Sequence, residues 1–420
     1  MKQVLQEVQK INIKDYDYGL PDERIARYPA VPRDSSRLLI YDGKNLSQDI
    51  FRKIADHLPS PALMVFNNTK VIHARLLFHK KSGAGIEIFC LEPAQPADYI
   101  QSFQSLGSCE WYCLIGNSKK WKEGSLNKEI RAGDLTIQLQ ATRTGQNGRL
   151  QGIRFDWQCA QKNLQFSEVL ELAGIIPIPP YLKRESENSD EKDYQTVYSK
   201  IKGSVAAPTA GLHFSEEELK NLDRQHILRR ELTLHVSAST FQPVKSDRLR
   251  EHPMHLEFFT VERTLIEDIV RNKNPLIAVG TTSVRTLESL YWFGLQLLEN
   301  KAAASQDPVV DQWFPYLDHQ TYTTEEALTA LLDYLDRNKL DRFCASTRLL
   351  IAPGYRFRLV DAMLTNFHQP QSTLLLLVAA FVGQDWQRIY RYALDEGFRF
   401  LSYGDSSLLF PGNQQAKTEK

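Results

Sequence analysis

The sequence lacks an excess of charge of either sign. Its 420 residues carry 51 Lys and Arg and 51 Asp and Glu, so the formal net charge at pH 7 is zero. A neutral chain creates no long-range field that attracts polyanions. A nucleic-acid partner would therefore have to bind at a local basic patch.

Cysteine is scarce and irregularly spaced. The chain has five cysteines: Cys90, Cys109, Cys113, Cys159 and Cys344. The number is odd, and the Cys109 and Cys113 pair has no second matching pair. This pattern argues against a zinc site or a disulfide framework and favours a reducing compartment.

Long hydrophobic runs are also missing. The longest run, Leu374 to Val382, is about half as long as a membrane span. The first residues, MKQVLQEVQKINIKD, contain no apolar core of a signal peptide. We therefore expect a cytoplasmic protein that makes no contact with membranes.

Several nucleotide and metal motifs are absent as well. There is no Walker loop, and Gly83-Ala-Gly85 lacks the third glycine and the helix of a dinucleotide fingerprint. There is no H-E-x-x-H zinc motif, and no repeat with a period of 20–50 residues. The common nucleotide-binding and zinc-hydrolase classes are therefore not indicated.

The composition, with 42% hydrophobic and 24% charged residues, is that of a globular protein with one large or two smaller domains. From about residue 70 to 160, short alternating runs are separated by turn signals, including Asn147-Gly148. Strands and helices alternate from about residue 165. The pattern predicts a mixed α/β fold (α+β mixed), with an antiparallel β-barrel at 69–160 inserted between main-domain segments 1–68 and 161–420.

Local signals predict where two helices begin. Ser215 and Glu218 form a capping-box pattern, and Ser372 is suited to cap a buried helix over Leu374 to Ala380. The polar run from Glu185 to Lys192 reads as a mobile loop.

Three polar turns interrupt apolar runs: Pro208 to Phe214, Ala278 to Arg285, and Asp361 to Leu377. The pattern of each predicts a strand, a turn and the start of a helix. In α/β proteins ligands bind at such turns, because the N–H groups at helix N-termini are free. The three turns therefore predict one composite site.

The second turn carries most of the candidate ligand-binding groups. Gly280 permits a tight turn, Thr281, Thr282 and Ser283 offer hydroxyls, and Arg285 follows on the helix. Such a turn suits a carboxylate, a phosphate or a ribose hydroxyl. Simple helix capping is the alternative reading.

Histidines cluster in polar segments of the second half: His213, His235, His252, His255 and His368. Neutral histidines near a site can carry protons. His252 and His255 could instead ligate a metal, but Pro253 breaks the helical spacing of the usual zinc motifs. For any single histidine, a purely structural role is equally favoured.

Two stretches are locally basic. Arg24, Arg27, Arg33 and Arg37 fall close together, and Lys119, Lys120 and Lys122 surround Trp121. Either set could contact a nucleic-acid backbone, or form a solvated face or a surface turn.

The motifs together resemble the S-adenosylmethionine:tRNA ribosyltransferase-isomerase family of the queuosine pathway. From about residue 16 to 405 the matching stretches are, in family order, LPDERIARYP, SRLL, FNNTKVIHARL, PIPPYL, YQTVYS, GSVAAPTAGLHF, LHVSASTFQPV, HPMHLE, AVGTTSVRTLES, VDAMLTNFHQPQSTLLLLVAAF and LSYGD. Two departures stand out, because Ser237 and Ser239 replace glycines of the family motif. Residues 297–348 also look longer than in short members, and we expect a surface elaboration there.

The resemblance implies a main α/β-barrel-like domain with an inserted β-barrel. It implies transfer and isomerisation of the ribosyl group of S-adenosylmethionine onto 7-aminomethyl-7-deazaguanine at the tRNA wobble position. The products would be epoxyqueuosine in tRNA, adenine and methionine. S-Adenosylmethionine would be a co-substrate, with no tightly bound cofactor and no metal. The partner would be a tRNA with a queuosine-type anticodon, and we expect a monomer without an obligate protein partner.

This chemistry assigns roles to the candidate residues. Proton carriers and the groups that orient them are expected among His213, His235, His368, Asp361 and Asp405. S-Adenosylmethionine is expected at Thr209, Gly211, Gly280, Thr281, Thr282, Ser283, Arg285 and Asn366. The tRNA is expected at Arg24, Arg27, Arg33, Arg37, Arg75, Lys119, Lys120 and Lys122. The alternatives are a catalytically impaired tRNA-binding relative and a metal-dependent hydrolase at His252 and His255.

Overall fold

The computed structural model describes residues 2–80, 82–148, 150–236, 244, 246–299 and 308–412. Its helices are α1 (Lys2–Lys10), α2 (Tyr99–Gln104), α3 (Phe166–Ala173), α4 (Asp190–Asp193), α5 (Glu216–Arg224), α6 (Arg263–Arg271), α7 (Thr281–Leu298), α8 (Thr324–Asn338), α9 (Thr373–Val382) and α10 (Trp386–Asp395). None of the helices in these ranges is both long and apolar enough to cross a bilayer.

The strands fall into a large sheet, a second antiparallel sheet and one short pair. They are β1 (Arg37–Tyr41), β2 (Leu46–Ile50), β3 (Ala62–Asn67), β4 (Thr69–Val71), β5 (Arg75–His79), β6 (Gly85–Gln95), β7 (Ser108–Gly116), β8 (Leu126–Ala132), β9 (Leu135–Asn147), β10 (Leu150–Cys159), β11 (Gly174–Ile175), β12 (Ile201–Ser204), β13 (Ile227–Leu234), β14 (Glu257–Glu262), β15 (Leu276–Val279), β16 (Val309–Val310), β17 (Arg342–Thr347), β18 (Ala362–Asn366) and β19 (Ser406–Leu409).

The large sheet has ten strands in the order β16-β17-β14-β13-β3-β15-β18-β19-β1-β2. Its central strands β13, β3, β15 and β18 are parallel. Every residue of β3, β15 and β18 is buried, as expected for parallel strands covered on both faces. The carboxyl ends of these strands therefore meet at one edge of the sheet. The pairing leaves β16 and β2 at opposite ends of the order, so a barrel-like closure of the main domain stays a prediction.

The second sheet has seven antiparallel strands in the order β11-β5-β6-β7-β10-β9-β8. Alternate residues of β6 and β7 are buried, and they pack with Trp111, Phe155 and Phe166 in a separate core. The sheet curls, because Lys128 Nζ on β8 donates to Ala173 O beside β11 at 2.8 Å. A mixed α/β fold with a second antiparallel sheet is confirmed, while the domain limits at 68/69 and 160/161 stay predictions.

The chain enters and leaves the second sheet at neighbouring positions. Leu76 of β5 is the antiparallel partner of Gly174 of β11. A Cβ at Gly174 would lie 2.1 Å from His73 O, so only glycine permits this close approach.

Local signals identified one hairpin and the starts of two helices. A hairpin joins β9 and β10 as predicted, but Asn147 is the last residue of β9 and pairs with Leu150, so the turn begins at Gly148. Ser372 Oγ caps α9 by accepting from Leu375 N at 3.2 Å. Ser215 does precede α5, but its hydroxyl bonds the Glu218 carboxylate and makes no cap hydrogen bond to the backbone.

Two predictions about polar segments, one of a mobile loop and one of a surface elaboration, are wrong. The run from Glu185 to Lys192 is anchored, because the carboxylate of Asp190 receives both terminal nitrogens of Arg184 at 2.7 Å and the Tyr403 hydroxyl at 2.8 Å. Within 297–348, the described part is not a surface elaboration: β17 pairs with β14 in the large sheet, and α8 packs on α7 with its apolar face in the core.

Candidate functional site

A cavity lies at the carboxyl ends of the parallel strands, and the three polar turns line it. Its volume is about 90 Å³, and it is partly open to solvent. The turns contribute Thr209, Gly280, Thr281, Thr282, Arg285, Asn366 and His368, and other segments add Tyr181, Glu257, Leu401 and Ser402. The structure thus brings the three turns together, in the position where α/β folds bind ligands.

The turn after β15 presents an unpaired hydroxyl. Gly280 has a φ of +88° and is itself the N-cap of α7, so no side chain caps this helix. Ser283 Oγ donates to Val279 O at 2.7 Å and is therefore occupied. Thr282 Oγ1 lines the cavity, is buried and has no hydrogen-bond partner. A buried polar atom without a partner is costly, so Thr282 is suited to receive a ligand.

Arg285 is held in a buried ion pair beside the cavity. Its Nη1 donates to the Glu257 carboxylate, and its Nε donates to Leu349 O at 3.1 Å. The side chains of Arg285 and Glu257 are 8% and 1% exposed, and Arg285 Nη2 has no partner. Burial raises the pKa of Glu257, and the guanidinium opposes this rise. The spare N–H groups of Nη2 suit an anionic ligand group such as a carboxylate.

Glu257 was not singled out from the sequence. It lies in the HPMHLE motif, which suggested only a metal site at His252 and His255. In the described ranges, no group of three His, Cys, Asp or Glu side chains is placed to hold a metal ion. A signal was present, since a glutamate that begins a buried strand needs a cationic partner.

Asn366 ends β18 with its amide at the cavity. Its Nδ2 donates to Leu401 O at 3.0 Å and lies 3.2 Å from His213 Nε2. His213 does not line the cavity, and its Nδ1 lies 2.8 Å from Ser36 Oγ. Burial lowers the pKa of His213 to about 4, so the ring is neutral at pH 7.

The other two candidate histidines differ in position. His368 lines the cavity, its Nε2 lies 3.0 Å from Thr365 Oγ1, and burial lowers its pKa to about 3. His235 is not among the lining residues and stacks on Tyr99 with ring centroids 4.6 Å apart. Burial lowers the pKa of His235 to about 4. Only His368 is placed to touch a ligand.

The two candidate carboxylates have structural partners. Asp361 precedes β18, and its carboxylate accepts from Leu276 N at 2.8 Å, at the amino end of β15 and away from the cavity. Asp405 is buried and accepts from Arg37 N, Arg399 N and Arg399 Nη2 at 2.8–3.1 Å. The position of Asp361 does not fit a role beside the ligand. Burial lowers the pKa of His213 and the Asp405 carboxylate opposes this shift electrostatically, so the predicted role of Asp405 in orienting a histidine stays a prediction.

Gly211 is also away from the ligand space. It is not among the lining residues, and a Cβ there would lie 1.8 Å from the Tyr198 hydroxyl. Glycine at this position therefore serves close packing. Ser237 and Ser239 lie outside the described residues.

The predicted arginine strip is partly engaged in structural contacts. Arg33 donates to Gln195 O and Lys192 O, and Arg37 lies 3.9 Å from the Phe398 ring centroid. Arg27 is exposed and pairs with Asp22 at 3.3 Å. Arg24 is half-buried against Gly397. Of the four, Arg27 has the side chain most available to a partner.

The second basic set lies on the curled sheet. Lys119, Lys120 and Lys122 are exposed, but Trp121 is fully buried and its Nε1 donates to Gly124 O at 2.9 Å. The aromatic ring is therefore not available for stacking on a base. Arg75 pairs with Glu87 at 3.3 Å.

Comparisons with known proteins give a single family. The family model described as queuosine biosynthesis protein matches residues 13–409. An S-adenosylmethionine:tRNA ribosyltransferase-isomerase from Magnetococcus marinus is 36% identical over 403 residues, covering 95% of this chain and 94% of the relative. One of the same name from a Sulfurihydrogenibium species is 36% identical over 409 residues, covering 95% and 100%. A crystal structure of S-adenosylmethionine tRNA ribosyltransferase from Thermotoga maritima is 28% identical, with a TM-score of 0.44, covering 94% of this chain and 99% of that one.

Proposed function

The chain belongs to the queuosine biosynthesis protein family, and on that premise we propose that it is an S-adenosylmethionine:tRNA ribosyltransferase-isomerase. It transfers and isomerises the ribosyl group of S-adenosylmethionine onto 7-aminomethyl-7-deazaguanine at the tRNA wobble position. The products are epoxyqueuosine in tRNA, adenine and methionine. The reaction takes place in the cytoplasm, a location compatible with five free cysteines.

One observation carries the assignment of the cavity to S-adenosylmethionine. Three buried polar atoms on its lining residues have no partner in the protein: Thr282 Oγ1, Arg285 Nη2 and Asn366 Oδ1. A donor at Arg285, a hydroxyl at Thr282 and an acceptor at Asn366 match a ligand that carries a carboxylate, hydroxyls and amino groups. Arg285 and Thr282 hold the methionine carboxylate, and Glu257 keeps the guanidinium in place.

The position of His368 supports a role in proton transfer. The sulfonium of S-adenosylmethionine makes the neighbouring ribose carbon acidic, so a base is required beside the ligand. A neutral imidazole that lines the cavity can accept a proton. His368 is neutral at pH 7, since burial lowers its pKa to about 3, and the same shift makes the ring a weaker base. His213 and His235 do not reach the ligand and are left out of this role.

The tRNA backbone binds at exposed basic side chains. Lys119, Lys120 and Lys122 form a compact set on the curled sheet, and Arg27 is exposed on the main domain. Charge reversal at Lys119 and Lys122 should weaken tRNA binding. The slope of the logarithm of the binding constant against the logarithm of the salt concentration should become less negative by about 0.7–0.9 for each phosphate contact that is lost. Lys53→Glu, a reversal at another exposed lysine, is the control, and an unchanged slope in the double variant would reject this surface.

A single incubation tests the reaction. Purified protein is mixed with S-adenosylmethionine and tRNA bearing the 7-aminomethyl-7-deazaguanine base, and free adenine and the modified nucleoside are measured by mass spectrometry. Both products are expected. Arg285→Lys should raise the KM for S-adenosylmethionine at least tenfold, because an ammonium cannot serve Glu257 and a carboxylate together. Arg271→Lys, at an exposed arginine, should leave the KM unchanged.

The alternative outcome has a defined meaning. Tight tRNA binding without adenine release would indicate the impaired tRNA-binding relative. Because glycine tolerates conformations and close approaches that serine does not, reverting Ser237 and Ser239 to glycine would then be expected to restore activity. If neither tRNA nor S-adenosylmethionine bound, the proposed function would be wrong.

A further inference from the structure

The orientation of the Asn366 amide is determined by its surroundings. A backbone carbonyl can only accept a hydrogen bond, so the group that lies 3.0 Å from Leu401 O must be Nδ2. The opposite atom, Oδ1, is then the one left without a partner. The residue is 2% exposed and lines the cavity. Asn366 therefore presents a buried, unsatisfied acceptor.

Leu401 is held in place by its own backbone contacts. Its φ is +68°, in the left-handed region that a leucine rarely adopts. Its N–H donates to Phe367 O at 3.1 Å, and its carbonyl also accepts from Gly404 N at 3.0 Å. Backbone strain of this kind persists where surrounding contacts enforce it, and it is found at ligand-binding sites. The carbonyl that orients Asn366 is thus fixed before any ligand binds.

His213 contacts the same amide and does not line the cavity. Because Nδ2 of Asn366 is a donor, His213 Nε2 at 3.2 Å must accept. The ring proton is then on Nδ1, which donates to Ser36 Oγ at 2.8 Å. The ring also packs on Phe51, with centroids 5.0 Å apart. A protonated His213 would place an N–H against the Asn366 N–H, so this arrangement needs the neutral ring.

We propose that Asn366 is a pre-oriented acceptor for an N–H or O–H donor of the bound ligand, and that His213 is its positioning residue. The inference rests on the proposed function only for the identity of the ligand, S-adenosylmethionine. It removes His213 from the proton carriers, because the ring faces Asn366 and Ser36 and does not line the cavity.

Two variants of His213 separate positioning from catalysis. His213→Gln can still accept from Asn366 through Oε1, whereas His213→Leu cannot. Binding of S-adenosylmethionine is measured by calorimetry, and KM and kcat by adenine release, with thermal unfolding recorded for each protein. We expect His213→Leu and Asn366→Ala to raise the dissociation constant and KM about tenfold, the worth of one hydrogen bond, with a smaller change in kcat. His213→Gln should restore most of the affinity.

The donor group is identified with fragments of the ligand. The affinity loss of Asn366→Ala is measured for S-adenosylmethionine, 5′-methylthioadenosine and L-methionine. If Asn366→Ala weakens the binding of 5′-methylthioadenosine, the donor belongs to adenine or ribose. If it weakens only the binding of L-methionine, the donor is the ammonium group. Either result supports the acceptor role.

Other outcomes overturn the inference. Unchanged affinity in both Asn366→Ala and His213→Leu would remove the acceptor role while leaving the proposed function intact. A collapse of kcat in His213→Gln with unchanged affinity would restore His213 as a proton carrier. In contrast, weakened S-adenosylmethionine binding in Asn366→Ala and His213→Leu, together with a wild-type protein that releases no adenine, would support the inference and reject the proposed function. Absence of S-adenosylmethionine binding to wild type would reject both.

Discussion

His235 should make the folded protein sensitive to acid. Burial lowers its pKa from 6.5 to about 4 in the folded chain, where the ring stacks on Tyr99 with an interplanar angle of 5°. The unfolded chain binds a proton at this residue below pH 6.5, and the folded chain does so only below about pH 4. Stability from the neutral ring is therefore complete above pH 6.5 and is lost as the pH falls through this window.

The size of the effect follows from the shift in pKa. Each pKa unit corresponds to about 1.4 kcal/mol, so the whole window is worth about 3 kcal/mol, of which about 2 kcal/mol is lost between pH 7 and pH 5. His235→Phe keeps a flat ring against Tyr99 and cannot titrate. Its free energy of unfolding should therefore fall less steeply with acid than that of the wild type.

Urea unfolding at pH 7, 6 and 5 measures this difference. Taking the variant minus the wild type at each pH cancels the titration of all other groups. We expect the free energy of unfolding of the variant, relative to that of the wild type, to rise by about 2 kcal/mol between pH 7 and pH 5. His79→Phe, at an exposed histidine of β5, is the control for replacing an imidazole by a phenyl ring. Parallel pH curves for wild type and His235→Phe would refute the reasoning.

Three further substitutions probe the packing around the site. Asp190→Asn should cost about 3 kcal/mol and expose the 184–193 segment to limited proteolysis, because it leaves the Arg184 charge buried without its partner; an unchanged cleavage pattern would contradict this. Gly294→Ala should lower the free energy of unfolding by about 2 kcal/mol, since a Cβ would lie 1.9 Å from Ala327 O; a rise would mean that α7 and α8 separate easily. Thr323→Ala should cost about 1 kcal/mol in thermal unfolding, as it removes the N-cap of α8, and no loss would show that the cap is dispensable.

Features set by neighbouring residues could be predicted from the sequence. The hairpin between β9 and β10 depends on Gly148, whose φ is +59°, and the Ser372 cap depends on a hydroxyl three residues before its donor. Two parts of the composite site were also predictable, because the turns that follow the parallel strands β15 and β18 must meet at one edge. The turn at Pro208 to Phe214 follows β12, which pairs with β4 outside the large sheet, so its place beside them could not be predicted in this way.

Features set by distant partners could not be predicted in this way. The sequence shows Ser36 and His213 as separate polar residues, although they are hydrogen-bonded across 177 positions. The same holds for Glu257 and Arg285, whose pairing appears only when β14 lies beside α7. Asp361 was misread because a residue before a strand lies at the opposite edge from the residues that follow it.

Burial also contradicts two interpretations that rested on the polarity of a segment. Trp121 lies among three lysines, yet its ring is fully buried and only the lysines face solvent. The polar run from Glu185 to Lys192 was predicted to be a mobile loop, but the Asp190 carboxylate within it binds Arg184 and Tyr403. A pattern of polar residues does not reveal which single member turns inward.

The pairing of Leu76 with Gly174 gives the molecule a modular connectivity. Directly opposed residues of an antiparallel pair lie about 5 Å apart, a gap that a short turn can bridge. The chain therefore enters and leaves the second sheet at neighbouring positions, and a short turn could close the gap between them. The second sheet still contacts the rest of the chain, because Tyr99 stacks on His235 with ring centroids 4.6 Å apart.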